Sequence, residues 1–228
     1  MFHPLDHPLE RGWVGRIEDD HVIHLAAQTL EAFFTGGGTA REHAVYPLEA
    51  VRLLAPVLHP PSIRVFDDES SFAFANPAAI VGPDAEIHAR GDSVALLPRI
   101  AAMIGAGARI GGFTGFADWR EGPAPPPKDR DFALGLGPLV VTPDEMSWAP
   151  EIAVHVEGGD RRFGHGECAT VRSRFDWEAA RSLAVERTVL RPGDLLASPI
   201  PGAIDPLPAG SEVAIEFEVI GTLRQVVR

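Results

Sequence analysis

Cysteine, tyrosine, basic side chains and long apolar runs are all scarce in this chain. Cys168 is the only thiol, which excludes an internal disulfide framework and a thiolate-only metal cage and fits a reducing cytoplasmic setting. No uninterrupted apolar stretch of about 18 residues and no charged-then-apolar leader is present, so the expectation is a soluble, untargeted protein that does not enter a membrane. Lys and Arg number 20 against 32 Asp and Glu, a formal charge of −12. Such a surface repels a phosphate backbone on average, and nucleic acid is not an expected partner. A Gly-x-Ser-x-Gly elbow, a phosphate loop and a His-Glu-x-x-His helix are also missing, and the histidines are scattered rather than spaced as ligands.

Two partial motifs fail on context. Arg99 to Gly111 reads as the strand and glycine turn of a dinucleotide site, but Gly112-Phe-Thr-Gly-Phe116 follows where a helix N-terminus must receive the pyrophosphate. His165-Gly-Glu167 matches the first half of a zinc deaminase signature, and a sole Cys168 cannot supply its paired-cysteine half.

What is present suffices for a full core, since 228 residues hide roughly 70 to 75% of the extended surface on folding. Trp13 to Ile17, the Asp19-Asp20 turn and His21 to Leu25 predict a hairpin, and Leu25 to Phe34 a helix stopped by Gly36-Gly37-Gly38. Leu48, Val51 and Leu54 predict a further short helix between Pro47 and Pro56. Residues 1–58 are thus expected to form a small N-terminal α/β lobe and residues 59–228 a second domain. Beyond Pro60-Pro61 the pattern turns to short apolar runs broken by Gly and Pro: Ile100 to Ile104, Leu139 to Val141, Ile152 to Val156, Leu195-Leu196 and Val213 to Ile220. These are strand signals. Asp176 to Glu186 alone reads as helix, with Asp176 as N-cap. The expected class is α+β, mostly β. Gly122-Pro-Ala-Pro-Pro-Pro127 predicts a stiff extended loop leading to Lys128.

One ordered series of motifs carries more. Pro61-Ser-Ile-Arg64, Asn76-Pro-Ala-Ala-Ile-Val-Gly-Pro83, Ile100-Ala-Ala-Met-Ile-Gly105, Gly112-Phe-Thr114, Asp118-Trp119, Lys128, Asp131-Phe-Ala133, Gly137-Pro138, Val141-Thr-Pro-Asp-Glu145, Leu190-Arg-Pro-Gly-Asp194 and Gly221-Thr-Leu223 follow one another in the chain. In order and number they resemble the fumarylacetoacetate hydrolase family over residues 60 to 228, with the N-terminal lobe fitting more loosely. The resemblance implies a β-roll body, a homodimer, and cleavage, decarboxylation or tautomerisation of β-diketo and 2-oxo carboxylic acids. It also implies Mg²⁺ or Ca²⁺ held by carboxylates, which neutralises the oxygen charge that develops in such reactions.

Carried over residue by residue, the family pattern has gaps here. The turn aspartate falls on Val65, and the Glu-x-Glu pair falls on Leu97 and Arg99. Asp118 is the surviving ligand position, next to Ala117 where the family has Asn; the water-activating histidine falls near Phe72 and the threonine of a Gly-Thr substrate turn on Ile200. Lys128, which in the family stabilises developing negative charge, is retained. Phe72 to Asn76 leaves no room for the lid segment, and Gly105 to Gly112 is too brief for the usual helix.

The primary expectation is therefore a family-fold protein without a bound cofactor, whose metal-dependent C–C hydrolysis is lost or weak. Lys128 and Asp118 are its candidate catalytic residues, with Arg99 and Ile200 against a small anionic keto acid. A guanidinium–carboxylate pair between Arg99 and Asp118 is expected at the old metal position, since strand alternation puts Arg99 on the former ligand face. Two alternatives stand beside it. One is an active divergent hydrolase, decarboxylase or tautomerase whose Mg²⁺ or Ca²⁺ is rescued by Asp67, Asp68, Glu69 or Glu121 beside Asp118. The other is a structural or regulatory dimer without small-molecule chemistry.

Overall fold

The Asp19-Asp20 turn reverses the chain between strands Gly15–Glu18 and His21–Leu25, and Glu42–Pro47 completes a three-stranded antiparallel sheet. This computed structural model describes residues 1–68, 70–122, 124–146, 150–158, 171–172, 175–200 and 202–228. His165, Gly166, Glu167 and Cys168 lie outside the described residues, as does Glu69. Thr29 caps helix Leu30–Thr35 by accepting a hydrogen bond from the Ala32 amide, and the helix stops at Gly36.

The helix expected over Leu48, Val51 and Leu54 does not form. A 3₁₀ turn covers Leu48–Ala50, and Val51–Leu53 is a strand paired antiparallel with Phe2–Pro4. A segment confined between Pro47 and Pro56 is too short to offset helix nucleation, whereas the backbone of Phe2–Pro4 offers hydrogen-bonding partners.

The body is two sheets with little helix. The larger runs in the order Ser71–Ala75, Ile63–Asp68, Leu195–Ala197, Ser93–Ile104, Ile110–Arg120, Leu134–Val141 and Ile80–Val81, with Ile204–Pro208 also on Ser93–Ile104. The smaller runs Val171–Arg172, Glu151–Gly158, Ser211–Phe217, Gly221–Val227 and Ala85–Ile87. Ser93–Ile104 and Ile110–Arg120 are longer than their apolar runs alone suggest and form the central antiparallel pair. Asp176 caps helix Trp177–Val185, accepting from the amides of Glu178 and Ala179 at 3.0 and 2.9 Å. The fold is α+β and mostly β. Among the described residues no helix is long and apolar enough to cross a membrane.

Strand alternation splits the core between the two faces of the central pair. Ile100, Ala102, Phe113, Ala117 and Trp119 pack with Ile152, Val213, Ile215 and Phe217 of the smaller sheet. Ala101, Met103 and Phe116 pack on the other side with Val65, Leu136, Val14 and Leu25, so the N-terminal residues share a core with the body. The Trp119 indole, fully buried, donates to Gln225 Oε1 at 2.7 Å, which meets the rule that a buried polar atom finds a partner.

Candidate functional site

The central antiparallel pair brings Arg99 and Asp118 together. In register, Asp118 sits opposite Leu97 and Arg99 opposite Phe116, so Arg99 meets Asp118 on the diagonal, within reach of a long side chain. Arg99 Nε donates to Asp118 Oδ2 at 3.1 Å, and its terminal nitrogen stands 3.0 Å from the same oxygen. The other end of the guanidinium donates to the backbone carbonyls of Phe66, at 3.0 Å, and Ser198, at 2.7 Å. Both side chains are 1% exposed. One cation therefore ties together four chain segments: strands Ile63–Asp68, Ser93–Ile104 and Ile110–Arg120, and the turn after Leu195–Ala197. Burial lowers the Arg99 pKa, and the charge and hydrogen bond of Asp118 oppose that shift.

Sequence reasoning missed a second guanidinium. Arg120 donates to Asp118 Oδ1 at 2.8 Å and to Oδ2 at 2.7 Å, a bidentate fork, and also donates to Asp129 at 3.0 Å. Arg130 contacts Asp129 from the other side. The signal was available, because residues two apart on a strand share a face and Arg120 lies two after Asp118. Arg120 is half-buried; burial opposes its charge, but the hydrogen bonds and charges of Asp118 and Asp129 prevail and raise its pKa.

Lys128 and Ile200 are not brought into this cluster. Lys128 opens a 3₁₀ turn over Lys128–Arg130, its side chain is 73% exposed, and its ammonium pairs with Asp131. Asn76 donates to the other oxygen of Asp131 at 2.7 Å, and this neutral donor and the Lys128 ammonium hold the Asp131 carboxyl below its ordinary value, Lys128 most strongly. Asp129, next in chain to Lys128, docks that turn beside Arg120, so Lys128 stands at the rim. Ile200 is exposed, two residues beyond the Ser198 carbonyl that Arg99 holds.

The other positions of the family pattern carry no oxygen ligand. Val65 is buried, Leu97 is half-buried on the Asp118 side, and Phe72 packs on Phe66 with ring centroids 5.3 Å apart. Of the nearby acids, Glu121 Oε1 accepts the amides of Arg90 and Gly91, and Asp68 accepts from Ser70 and Ser71. Asp67 is exposed and lies within electrostatic reach of Arg99. Among the described residues, no group of three or more His, Cys, Asp or Glu side chains converges as a metal site. A divalent cation needs several convergent oxygens, and here two cations already hold the one carboxylate. The donor set does not fit the ion.

No family model and no curated protein matches the chain in sequence. Solved structures do match in fold. Maleylpyruvate hydrolase from Sphingobium sp. SYK-6, solved with manganese(II) and pyruvate, superposes with a TM-score of 0.78 at 18% identity, covering 96% of each chain. A 2-keto-3-deoxy-D-arabinonate dehydratase complexed with magnesium and 2,5-dioxopentanoate gives 0.77 at 18% identity over 94% of each chain. The 5-carboxymethyl-2-hydroxymuconate delta-isomerase of Mycobacterium smegmatis gives 0.73 at 21% identity, covering 94% of this chain and 93% of its own. The chain thus has the fumarylacetoacetate-hydrolase type of fold. That fold is shared by hydrolases, isomerases and dehydratases of keto acids, and it extends over nearly the whole chain.

Proposed function

We infer that this chain has exchanged the catalytic cation of its fold for an internal guanidinium, that metal-dependent C–C hydrolysis is lost or weak in it, and that it retains binding of a small 2-oxo or β-diketo carboxylate. The observation that carries the reading is the pairing of Asp118: both of its oxygens accept from buried or half-buried guanidiniums. Arg99 supplies positive charge where an ion would sit, but a guanidinium offers no exchangeable coordination position. It can stabilise an anion and cannot activate a bound water as a metal does. Lys128 at the rim supplies the exposed cation for an incoming carboxylate, and the keto-acid ligands of the neighbouring folds support that choice.

Calorimetric titration with Mg²⁺, Mn²⁺ and Ca²⁺, paired with turnover of oxaloacetate and an acylpyruvate, tests the exchange. The expected outcome is no saturable metal binding and no turnover above the uncatalysed rate. Tight metal binding abolished by Asp118→Ala, with rapid keto-acid cleavage, overturns it in favour of a divergent active enzyme, for which the nearness of Asp67 to Arg99 is the supporting observation. Oxaloacetate or oxalate is expected to raise the melting temperature, because a ligand of the folded state must. Failure to do so favours a purely structural role. We propose a homodimer as well, and light scattering on the purified chain checks it.

A further inference from the structure

We propose that His24 and His43, on the N-terminal three-stranded sheet, form a two-imidazole site for a late first-row divalent ion such as Zn²⁺, Ni²⁺ or Cu²⁺. The site is separate from the Arg99–Asp118 cluster and does not depend on the function proposed above. Its first support is a β-bulge. His24 pairs with Ala44 and Leu25 with Glu42, so one step on strand His21–Leu25 is matched by two on Glu42–Pro47, and His43 is the extra residue. A bulge re-aims the side chain it carries. Here it turns the His43 ring toward His24, with centroids 5.2 Å apart and planes inclined by 37°. A metal about 2.0–2.1 Å from one nitrogen of each imidazole places the ring centroids roughly 4.5 to 5.5 Å apart at ordinary ligand angles. The observed separation lies within that range.

The second support is how the pair is held. Trp13 stacks on one face of His24 at 4.6 Å with planes 14° apart, which holds the ring in place. Neither imidazole has a hydrogen-bond partner among the described residues, so none of these residues engages their nitrogens. His43 is exposed and His24 half-buried, which gives an ion access. The nearby carboxylate, Glu42, is engaged by Arg16 at 2.9 Å. An all-imidazole pair selects borderline metals over the oxygen-seeking Mg²⁺ and Ca²⁺, and water fills the remaining positions.

Cu²⁺ quenching of tryptophan emission reads the site through Trp13, and Zn²⁺ titration by calorimetry gives the stoichiometry. One ion per chain is expected, with Mg²⁺ producing neither signal. His24→Gln and His43→Gln are each expected to weaken binding by about tenfold or more, since even an outer-shell partner of a metal ligand is worth 10–100-fold. His7→Gln, on the far side of Trp13, is expected to leave it unchanged. Zn²⁺ is expected to raise the melting temperature of the wild type and of His7→Gln but not of His43→Gln, whose exposed position leaves the metal-free melting temperature unaltered. Undiminished binding in either His24→Gln or His43→Gln, or absence of saturable binding to the wild type, overturns the proposal.

Discussion

Four guanidinium nitrogens lie within 3.1 Å of the Asp118 carboxylate, two from Arg99 and two from Arg120. A carboxylate has about four acceptor directions, so this one is saturated by its own chain. Removing it leaves two guanidiniums facing each other in a poorly solvated place, and breaking a buried pair from one side costs about 3–5 kcal/mol. Asp118→Ala is therefore expected to be severely destabilised in urea denaturation, while Lys128→Ala, at a largely exposed position, stays within about 0.5 kcal/mol of the wild type. Equal effects of the two would contradict the separation of core cluster from rim. The Arg99–Asp118 pair could be anticipated from residue type and strand alternation. Arg120 obeys the same rule, two residues after Asp118 on the same strand, but nothing in its local sequence distinguishes it from an exposed strand-end cation.

At the scale of elements, the two sheets approach closely where side chains vanish. A Cβ placed on Gly115 would lie 2.3 Å from the Phe217 ring and 2.5 Å from the Gly137 carbonyl oxygen. The ring belongs to the smaller sheet and the carbonyl to the neighbouring strand, so neither can withdraw alone. Gly115→Ala is expected to destabilise by about 1–3 kcal/mol through overpacking, measured as a lowered denaturation midpoint. A neutral result would mean that the sheets are less tightly seated. Element boundaries were legible where local signals were strong: Asp176 announced its helix, and Asp19-Asp20 its hairpin. The segment after Pro47 misled, because a helical spacing of Leu48, Val51 and Leu54 says nothing of the strand partner waiting at Phe2–Pro4.

The whole molecule carries its charge unevenly. The formal charge is −12, yet the buried cluster is built around arginines. Burial lowers the Met1 ammonium from 8.0 to about 6, a hydrogen bond with Thr142 holds the Asp144 carboxyl below its ordinary value, and three further shifts add to the response to acid. Burial first, and then His43, lower the His24 pKa below its ordinary 6.5. Hydrogen bonds from Ser70 and Ser71 hold Asp68, and Lys128 with Asn76 holds Asp131, below the ordinary 3.8. A depressed folded-state value means that the unfolded chain binds the proton more readily. Each contribution is present above the unfolded pKa and is lost as pH falls through the folded one. The melting temperature is thus expected to decline in two stages, a shallow one as pH falls from 8.0 through about 6 and a further one below 3.8. His24→Gln should shrink the first stage, leaving the part that belongs to the Met1 amine, and should not touch the second; an undiminished first stage in that variant would assign the effect elsewhere.

The sequence by itself determined the class of fold, the ordered motifs of the central strands, and the presence of Val65, Leu97 and Arg99 at their strand positions, because residue identity at a strand position is a local property. Tertiary structure alone decided that Arg99 reaches the carbonyls of Phe66 and Ser198, that Arg120 shares Asp118, and that Lys128 stands outside with Asp131. Those outcomes depend on which strands lie side by side and how far each side chain must travel. Register and burial set those distances, and they exist only once the chain has folded.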